Sequence, residues 1–378
     1  MKYMATELPR RHKNAFHSVS RKEFERAVAR LDKAIPSLQD YEIIIGFRRI
    51  LALIGDGHTN IYGWESSFHR YPFRFFRFSD GYYVTQATSE YGRLLGTRLV
   101  RIGNLDVDKA FDAVITLLPK GEGEMYLWHY APVYLSFAEV QHSLRMQPSL
   151  AKGEFVFEDD NGKLFSVEMS PLPTNADVTF ADAARQTPLY RQQENEPLSY
   201  KYLSESKTVY FSFRGYPPYS EFLRFSAELL QFIEKNPTDR LVIDLRSNSG
   251  GDESSFQPLL EGVIRDERIN RRGHLFVIIG RQTYSAGMLN AVQLKLKTNA
   301  ILFGEPTGAK PNQYNEASGG EALKLPYSGL TVDYSIRYRK LLKDDAPALM
   351  PDVRVDLSSR DYIAGRDPVL ERILAYRE

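Results

Sequence analysis

The spacing of apolar residues changes twice along the chain. From about residue 20 it is helical: Ser20, with Glu23 three residues on, forms a capping-box pattern, and Phe24, Val28 and Leu31 follow on one face. A second helix is predicted from near Asp40, with Ile43, Phe47, Ile50, Leu51 and Ile54 on one broad face and Gly55 as its stop. From about 70 to 172 the period shortens to two, as in Tyr82-Tyr83-Val84-Thr85 and Glu154-Phe155-Val156-Phe157-Glu158. Turn signals at Asp80-Gly81 and Asn161-Gly162 separate these runs, which predicts a small β-rich domain. Residues 173–200 are polar and mixed and read as a linker or surface crossing.

From about 205 strands and helices alternate. Thr208 to Phe213 reads as a strand, Tyr219 to Lys235 as an amphipathic helix, and Leu241-Val242-Ile243-Asp244-Leu245 as a buried strand running into a Gly-rich loop. A helix is expected near 254–264, a strand from Leu275 to Ile279, a helix from Ser285 to Lys297 and a strand at Ile301-Leu302-Phe303. Fully apolar strands alternating with helices predict an α/β sheet covered on both faces. The expected division is a helical segment over 1–65, a β-rich domain over 66–175 and an α/β core over 176–378.

Composition narrows the chemistry. The 378 residues are 43% hydrophobic and 26% charged, ordinary for a globular chain. Lys plus Arg number 49 against 48 Asp plus Glu, so the net charge of +1 makes no electrostatic case for nucleic acid. The absence of cysteine removes thiol nucleophiles, disulfides and thiolate metal sites, and leaves the compartment open. No apolar run reaches the ~18 residues of a membrane span. Residues 1–7 lack the apolar centre of a signal peptide, so no export is expected of the chain as written, although a late start or a trimmed N-terminus would look the same. No dinucleotide, phosphate-loop or His-Glu-x-x-His pattern calls for a cofactor or metal.

Two strand-to-helix junctions can carry chemistry. In Asp244-Leu245-Arg246-Ser247-Asn248-Ser249-Gly250-Gly251 a buried strand enters paired glycines, whose backbone N–H groups can hold an anion such as a tetrahedral oxyanion. A tight turn is the plainer reading of the same residues. In Gly280-Arg281-Gln282-Thr283-Tyr284-Ser285-Ala286-Gly287 a serine opens a helix after a buried strand, which exposes its hydroxyl beside the Ala286 N–H. Ser285, or Thr283, as an ordinary N-cap is the plainer reading here. The strict Gly-x-Ser-x-Gly form is absent. A serine nucleophile needs a base. Lys310 follows Ser285 by 25 residues, past one helix and one strand, so the chain can return it to the same end of the sheet. It serves as base only if its pKa is lowered. The seven histidines are all distant from Ser285 in sequence.

Four segments in order resemble the tail-specific, or C-terminal-processing, serine peptidases, a family that includes the tricorn core protease and the interphotoreceptor retinoid-binding protein repeats. They are Asp56-Gly57-His58-Thr59; Val242-Ile243-Asp244-Leu245-Arg246 through Gly250-Gly251; Thr283-Tyr284-Ser285-Ala286; and Gly304-Glu305-Pro306-Thr307 with Lys310. Leu325-Pro326-Tyr327-Ser328-Gly329-Leu330, Pro351-Asp352-Val353 and Gly365-Arg366-Asp367-Pro368-Val369-Leu370 add to the likeness. The resemblance implies a Clp-protease/crotonase-like core, polypeptide substrates and an acyl-enzyme at Ser285. It implies Lys310 as base, as in the Ser–Lys members, or His58, as in the tricorn-like branch. It implies Gly250, Gly251 and Ala286 as the oxyanion-hole region. Relatives act largely outside the cytoplasm.

The chain also departs from the family. Tyr314 stands where Ser–Lys members place a glutamine, with Gln313 one residue early, and Asp344 and Asp345 fall in the stretch of the tricorn-like acidic partner. The β-rich region takes the place of the family's PDZ domain, and Gly96 to Gly103 is similar to a PDZ strand and turn without a carboxylate-binding loop. Two rival functions use the same fold: an inactive relative binding a peptide or apolar ligand, and a crotonase-like acyl-thioester enzyme holding an enolate at Gly250-Gly251.

Overall fold

The computed structural model describes residues 1–315 and 322–377. The chain forms two compact units. One comprises 1–122, 127–185 and 313–339; the other comprises 123–126, 186–312 and 340–378. Among the described residues no helix is long and apolar enough to cross a membrane.

The second unit is built on a six-stranded sheet. In spatial order its strands are Val353–Arg354, Ile301–Gly304, Leu275–Ile279, Arg240–Asp244, Thr208–Phe213 and Leu198–Leu203. All neighbouring pairs are parallel except the last, where Leu198–Leu203 runs antiparallel at the edge. Alternation along each strand divides its residues between the faces. Val209, Phe211, Leu241, Ile243, Leu275, Val277 and Leu302 pack with the helices Tyr219–Lys235, Gln257–Arg265 and Ser285–Lys297. Tyr210, Val242, Phe276, Ile278, Ile301 and Phe303 pack on the other face with Val369, Leu370 and Ile373 of the C-terminal helix Pro368–Leu374. Both faces are therefore covered, as the continuous apolar runs required.

The first unit opens with the helices Lys2–Arg11, Arg21–Ala34 and Asp40–Ile54. Ser20 caps the second by accepting from the Glu23 N–H at 3.2 Å, and Gly55 ends the third in the left-handed region at φ +93°. An antiparallel sheet follows, with strands in the order Phe73–Phe78, Gly81–Thr88, Arg98–Ile102, Gly153–Glu158 and Leu164–Met169. The Asp80-Gly81 and Asn161-Gly162 signals are its hairpin turns.

Some elements were not legible in the hydrophobic pattern. The helices Val107–Val114, Glu124–Leu135 and Ala138–Ser143 interrupt the region read as strands. Glu124–Leu135 is apolar and aromatic around most of its circumference, so it carries no helical stripe. Part of the stretch read as a linker is ordered: Phe180–Asp182 pairs with Gly81–Thr88, and Leu198–Leu203 is the edge strand of the parallel sheet. Thr331–Asp333 pairs with Asn60–Tyr62, and Gln313–Asn315 with Arg337–Arg339. Sequence periodicity cannot show pairings between segments so far apart.

Candidate active site

The two candidate junctions leave the sheet from neighbouring strands. Asp244 lies opposite Ile278, and the Leu245 N–H donates to the Ile278 carbonyl at 2.8 Å. The loops emerge at the carboxyl ends of parallel strands, where α/β sheets usually bind ligands. Thr283 locks them together: its buried hydroxyl donates to the Leu245 carbonyl at 2.7 Å and accepts from the Gly280 N–H at 3.0 Å. Its role is to join the loops rather than to cap the helix.

Ser285 is the first residue of the helix Ser285–Lys297 and sits at φ +48°, in the left-handed region. An L-residue there costs about 1–2 kcal/mol, because Cβ crowds the following carbonyl. Such a strained strand-to-helix turn presents a hydroxyl where a regular N-cap would turn it back onto the helix. Gly250, at φ +114°, passes directly beside it. A Cβ at position 250 would lie 2.6 Å from the Ser285 Cβ and 3.1 Å from the Ala286 nitrogen. Only glycine fits.

Asn248 braces the arrangement. It is fully buried. Its side chain accepts from the Gly250 N–H at 3.0 Å and donates to the Phe213 carbonyl at 3.2 Å, and its backbone carbonyl accepts from the Tyr284 N–H at 3.0 Å. A Cβ at position 287 would meet that carbonyl at 2.5 Å, which explains the glycine two residues after Ser285. The Gly250 N–H is thus already committed. Among the described residues the N–H groups of Gly251 and Ala286 donate to no protein acceptor.

The loop carrying Lys310 is fastened to the same strand ends. The Glu305 N–H donates to the Ile279 carbonyl at 3.2 Å, and the Glu305 carboxylate takes two hydrogen bonds from Arg281, one at 2.8 Å from Nε. The Ala309 N–H donates to the Thr283 carbonyl at 3.4 Å. Lys310, the next residue, is half-buried and makes no side-chain hydrogen bond or ion pair among the described residues. Asn312 then holds the 341–344 segment, donating to the Leu342 and Asp344 carbonyls at 3.1 and 3.0 Å. The side chains of Asp344 and Asp345 are exposed.

His58 belongs to the first unit, just past the Gly55 helix stop, and is 7% exposed. Burial pulls its pKa below the ordinary 6.5, only partly offset by the Asp56 charge and by a hydrogen bond to the Tyr314 backbone. At neutral pH the imidazole is therefore uncharged. Asp56 is clamped: it accepts from His12 Nε2 at 2.9 Å, the Ser335 hydroxyl at 2.7 Å and the Thr59 N–H at 2.9 Å. Burial alone would raise its pKa, but the hydrogen bonds from His12 and Ser335, with the His17 imidazole 3.7 Å away, hold it well below the usual carboxylate range. Tyr314, which stands in the family's glutamine position, is committed in this unit. Its ring stacks on His17 with centroids 4.2 Å apart and packs against Tyr338 at 4.7 Å.

The structure thus brings Ser285, Gly250, Gly251, Ala286 and the Lys310 loop together at one end of one sheet, with Asn248 as the member that sequence reasoning left without a role.

No protein-family model matches the chain, and no curated protein sequence matches it either. Solved structures do. Mature CPAF complexed with lactacystin matches at 12% identity and a TM-score of 0.63, over 96% of this chain and 96% of that one. Mature CPAF alone matches at 12% identity and a TM-score of 0.61, over 93% and 90% of the two chains. A photosystem II D1 C-terminal processing protease matches at 14% identity and a TM-score of 0.40, over 97% and 96%. The protein shares the fold of mature CPAF across nearly its whole length.

Proposed function

We propose that this protein is a serine peptidase that cleaves polypeptides through an acyl-enzyme at Ser285, on a Clp/crotonase-like core. The observation that carries the reading is Ser285 itself, held at φ +48° on a strand-to-helix turn with glycine backbone against it. The ordered segments that resemble tail-specific peptidases, and the fold likeness to mature CPAF, support the same reading. Ser285 attacks the scissile carbonyl, the N–H groups of Gly251 and Ala286 receive the oxyanion, and Gly250 supplies the space. The base takes the Ser285 proton and returns it to the leaving amine.

Lys310 is the first assignment for the base, since it lies in the same unit as Ser285 on a loop tied to Thr283. A second reading assigns His58, and one observation favours it: burial keeps its imidazole uncharged and able to accept a proton at neutral pH.

A fluorophosphonate probe, with the adduct mapped by mass spectrometry, tests the nucleophile. The expected outcome is one adduct at Ser285 and none in Ser285→Ala; an unlabelled wild type that leaves casein and peptides intact would overturn the reading in favour of a binding protein. Comparing Lys310→Ala with His58→Ala by acylation rate assigns the base.

A further inference from the structure

The first unit also contains a cavity lined by none of the residues of the candidate active site. This cavity of about 920 Å³ lies among the helices Arg21–Ala34 and Asp40–Ile54, the turn after Ala138–Ser143 and the start of the strand Gly153–Glu158. That volume falls within the roughly 300–1,000 Å³ of small-molecule pockets. Leu31, Leu38, Ile45, Met146 and Pro148 give it apolar walls.

Its charges do not cancel. Four cations line it (Arg49, Arg101, Arg145 and Lys152) against three carboxylates (Glu42, Glu154 and Glu168). Arg101 pairs with Glu154 at 3.2 Å, and Lys152 with Glu168 at 2.6 Å. Glu42 is occupied by the Gln39 N–H at 2.9 Å, capping its helix. Arg49 and Arg145 remain, and among the described residues neither guanidinium has a hydrogen-bond or ion-pair partner.

Arg145 is also out of place by backbone rules. The helix Ala138–Ser143 ends in a Schellman turn: the Arg145 N–H donates to the His142 carbonyl at 2.9 Å, and the Met146 N–H to the Gln141 carbonyl at 2.9 Å. The residue between those bonds must be left-handed, and glycine or asparagine usually takes the position. Here arginine takes it, at φ +60°. Arg145 thus strains the backbone on the wall of a cavity that a second unpaired arginine, Arg49, also lines, both of them exposed.

We propose that this cavity binds a single-chain organic anion, its carboxylate or phosphate head held by Arg49 and Arg145 and its apolar body lying against Leu31, Ile45 and Met146. Planar guanidiniums match both head groups through paired N–H donors. The proposal does not depend on the reading of Ser285.

Calorimetric titration of the full-length protein with decanoate, decyl phosphate and decanol, each below its micellar concentration, tests it. The expected result is one site for at least one of the anions, with decanol at least ~10-fold weaker, since a hydroxyl cannot replace a charge-assisted pair. Arg49→Gln and Arg145→Gly should each weaken the anion by ~10-fold or more, while Arg145→Gly melts no lower than wild type because glycine relieves the left-handed strain. That combination separates ligand binding from a structural role, which would lower the melting temperature. Equal affinity for decanol and the anions, unchanged affinity in Arg145→Gly, or no binding of either anion at millimolar concentration would each overturn the proposal.

Discussion

Ser285 and Gly250 make opposite demands on substitution. Alanine and glycine both remove the Ser285 hydroxyl, so both variants should be inactive, yet they should differ in stability. Glycine is free to adopt φ +48°, where alanine is strained, so Ser285→Gly should be more stable than Ser285→Ala by about 1 kcal/mol in urea unfolding. A more stable alanine variant, as expected at a regular helix start, would show that the turn is unstrained. At Gly250 any added Cβ enters the space beside the Ala286 nitrogen. Gly250→Ala should lower the melting temperature, because the added Cβ meets the Ser285 Cβ at 2.6 Å, and should lose ~10²-fold or more in kcat, the scale of losing an oxyanion donor. An active Gly250→Ala would place the oxyanion elsewhere.

At the scale of elements, the alternation of strands and helices after residue 205 was readable because each element is contiguous and each strand is apolar on both faces. The strands at 208–213 and 275–279, and the helices at 219–235 and 285–297, stand where periodicity put them. What lay outside its reach is how loops hold one another. Asn248 looks like any loop asparagine until its partners, from Phe213 to Tyr284, are known. Replacing it with alanine strands the Phe213 carbonyl and the Gly250 N–H in a buried site, at a cost of about 2–4 kcal/mol. The variant should melt early and lose activity together, whereas Ser285→Ala loses activity alone. The Gly365-Arg366-Asp367-Pro368 segment has a similar explanation. Asp367 caps the C-terminal helix through the Val369 and Leu370 N–H groups and pairs twice with Arg246, at 3.0 and 2.9 Å. Arg246 in turn binds Asp244, which also accepts from the Tyr210 hydroxyl. Asp367→Asn leaves the part-buried arginine paired with Asp244 alone and should cost about 1–3 kcal/mol.

Across the whole molecule, legibility follows contiguity. The candidate site of the second unit is assembled from loops that each read as one stretch of sequence, whereas the first unit gathers His12, His17, Asp56, His58, Tyr314 and Ser335, with Asp56 and Ser335 bonded across 279 residues of sequence. No local pattern could have shown that Asp56 is clamped or that His58 is buried beside it. The cluster has a consequence for acid stability, whose sign follows from the two depressed pKa values. His58 titrates below 6.5 in the folded chain, so between 6.5 and that lower value the unfolded chain binds the extra proton, and stability falls as pH falls. Asp56 acts in the same direction in a lower window: its contribution is complete above 3.8 and is lost as pH drops through its folded value. Calorimetric melting should therefore show the first unit weakening in two stages on acidification, one beginning near 6.5 and one near 3.8. His58→Gln should flatten the first stage and leave the second, while Asp56→Asn should remove the second at the expense of stability at neutral pH, where His12 and Ser335 lose a charged acceptor. A melting temperature that holds constant from pH 7 to 5 in the wild type would mean that the His58 imidazole is not desolvated as its burial implies.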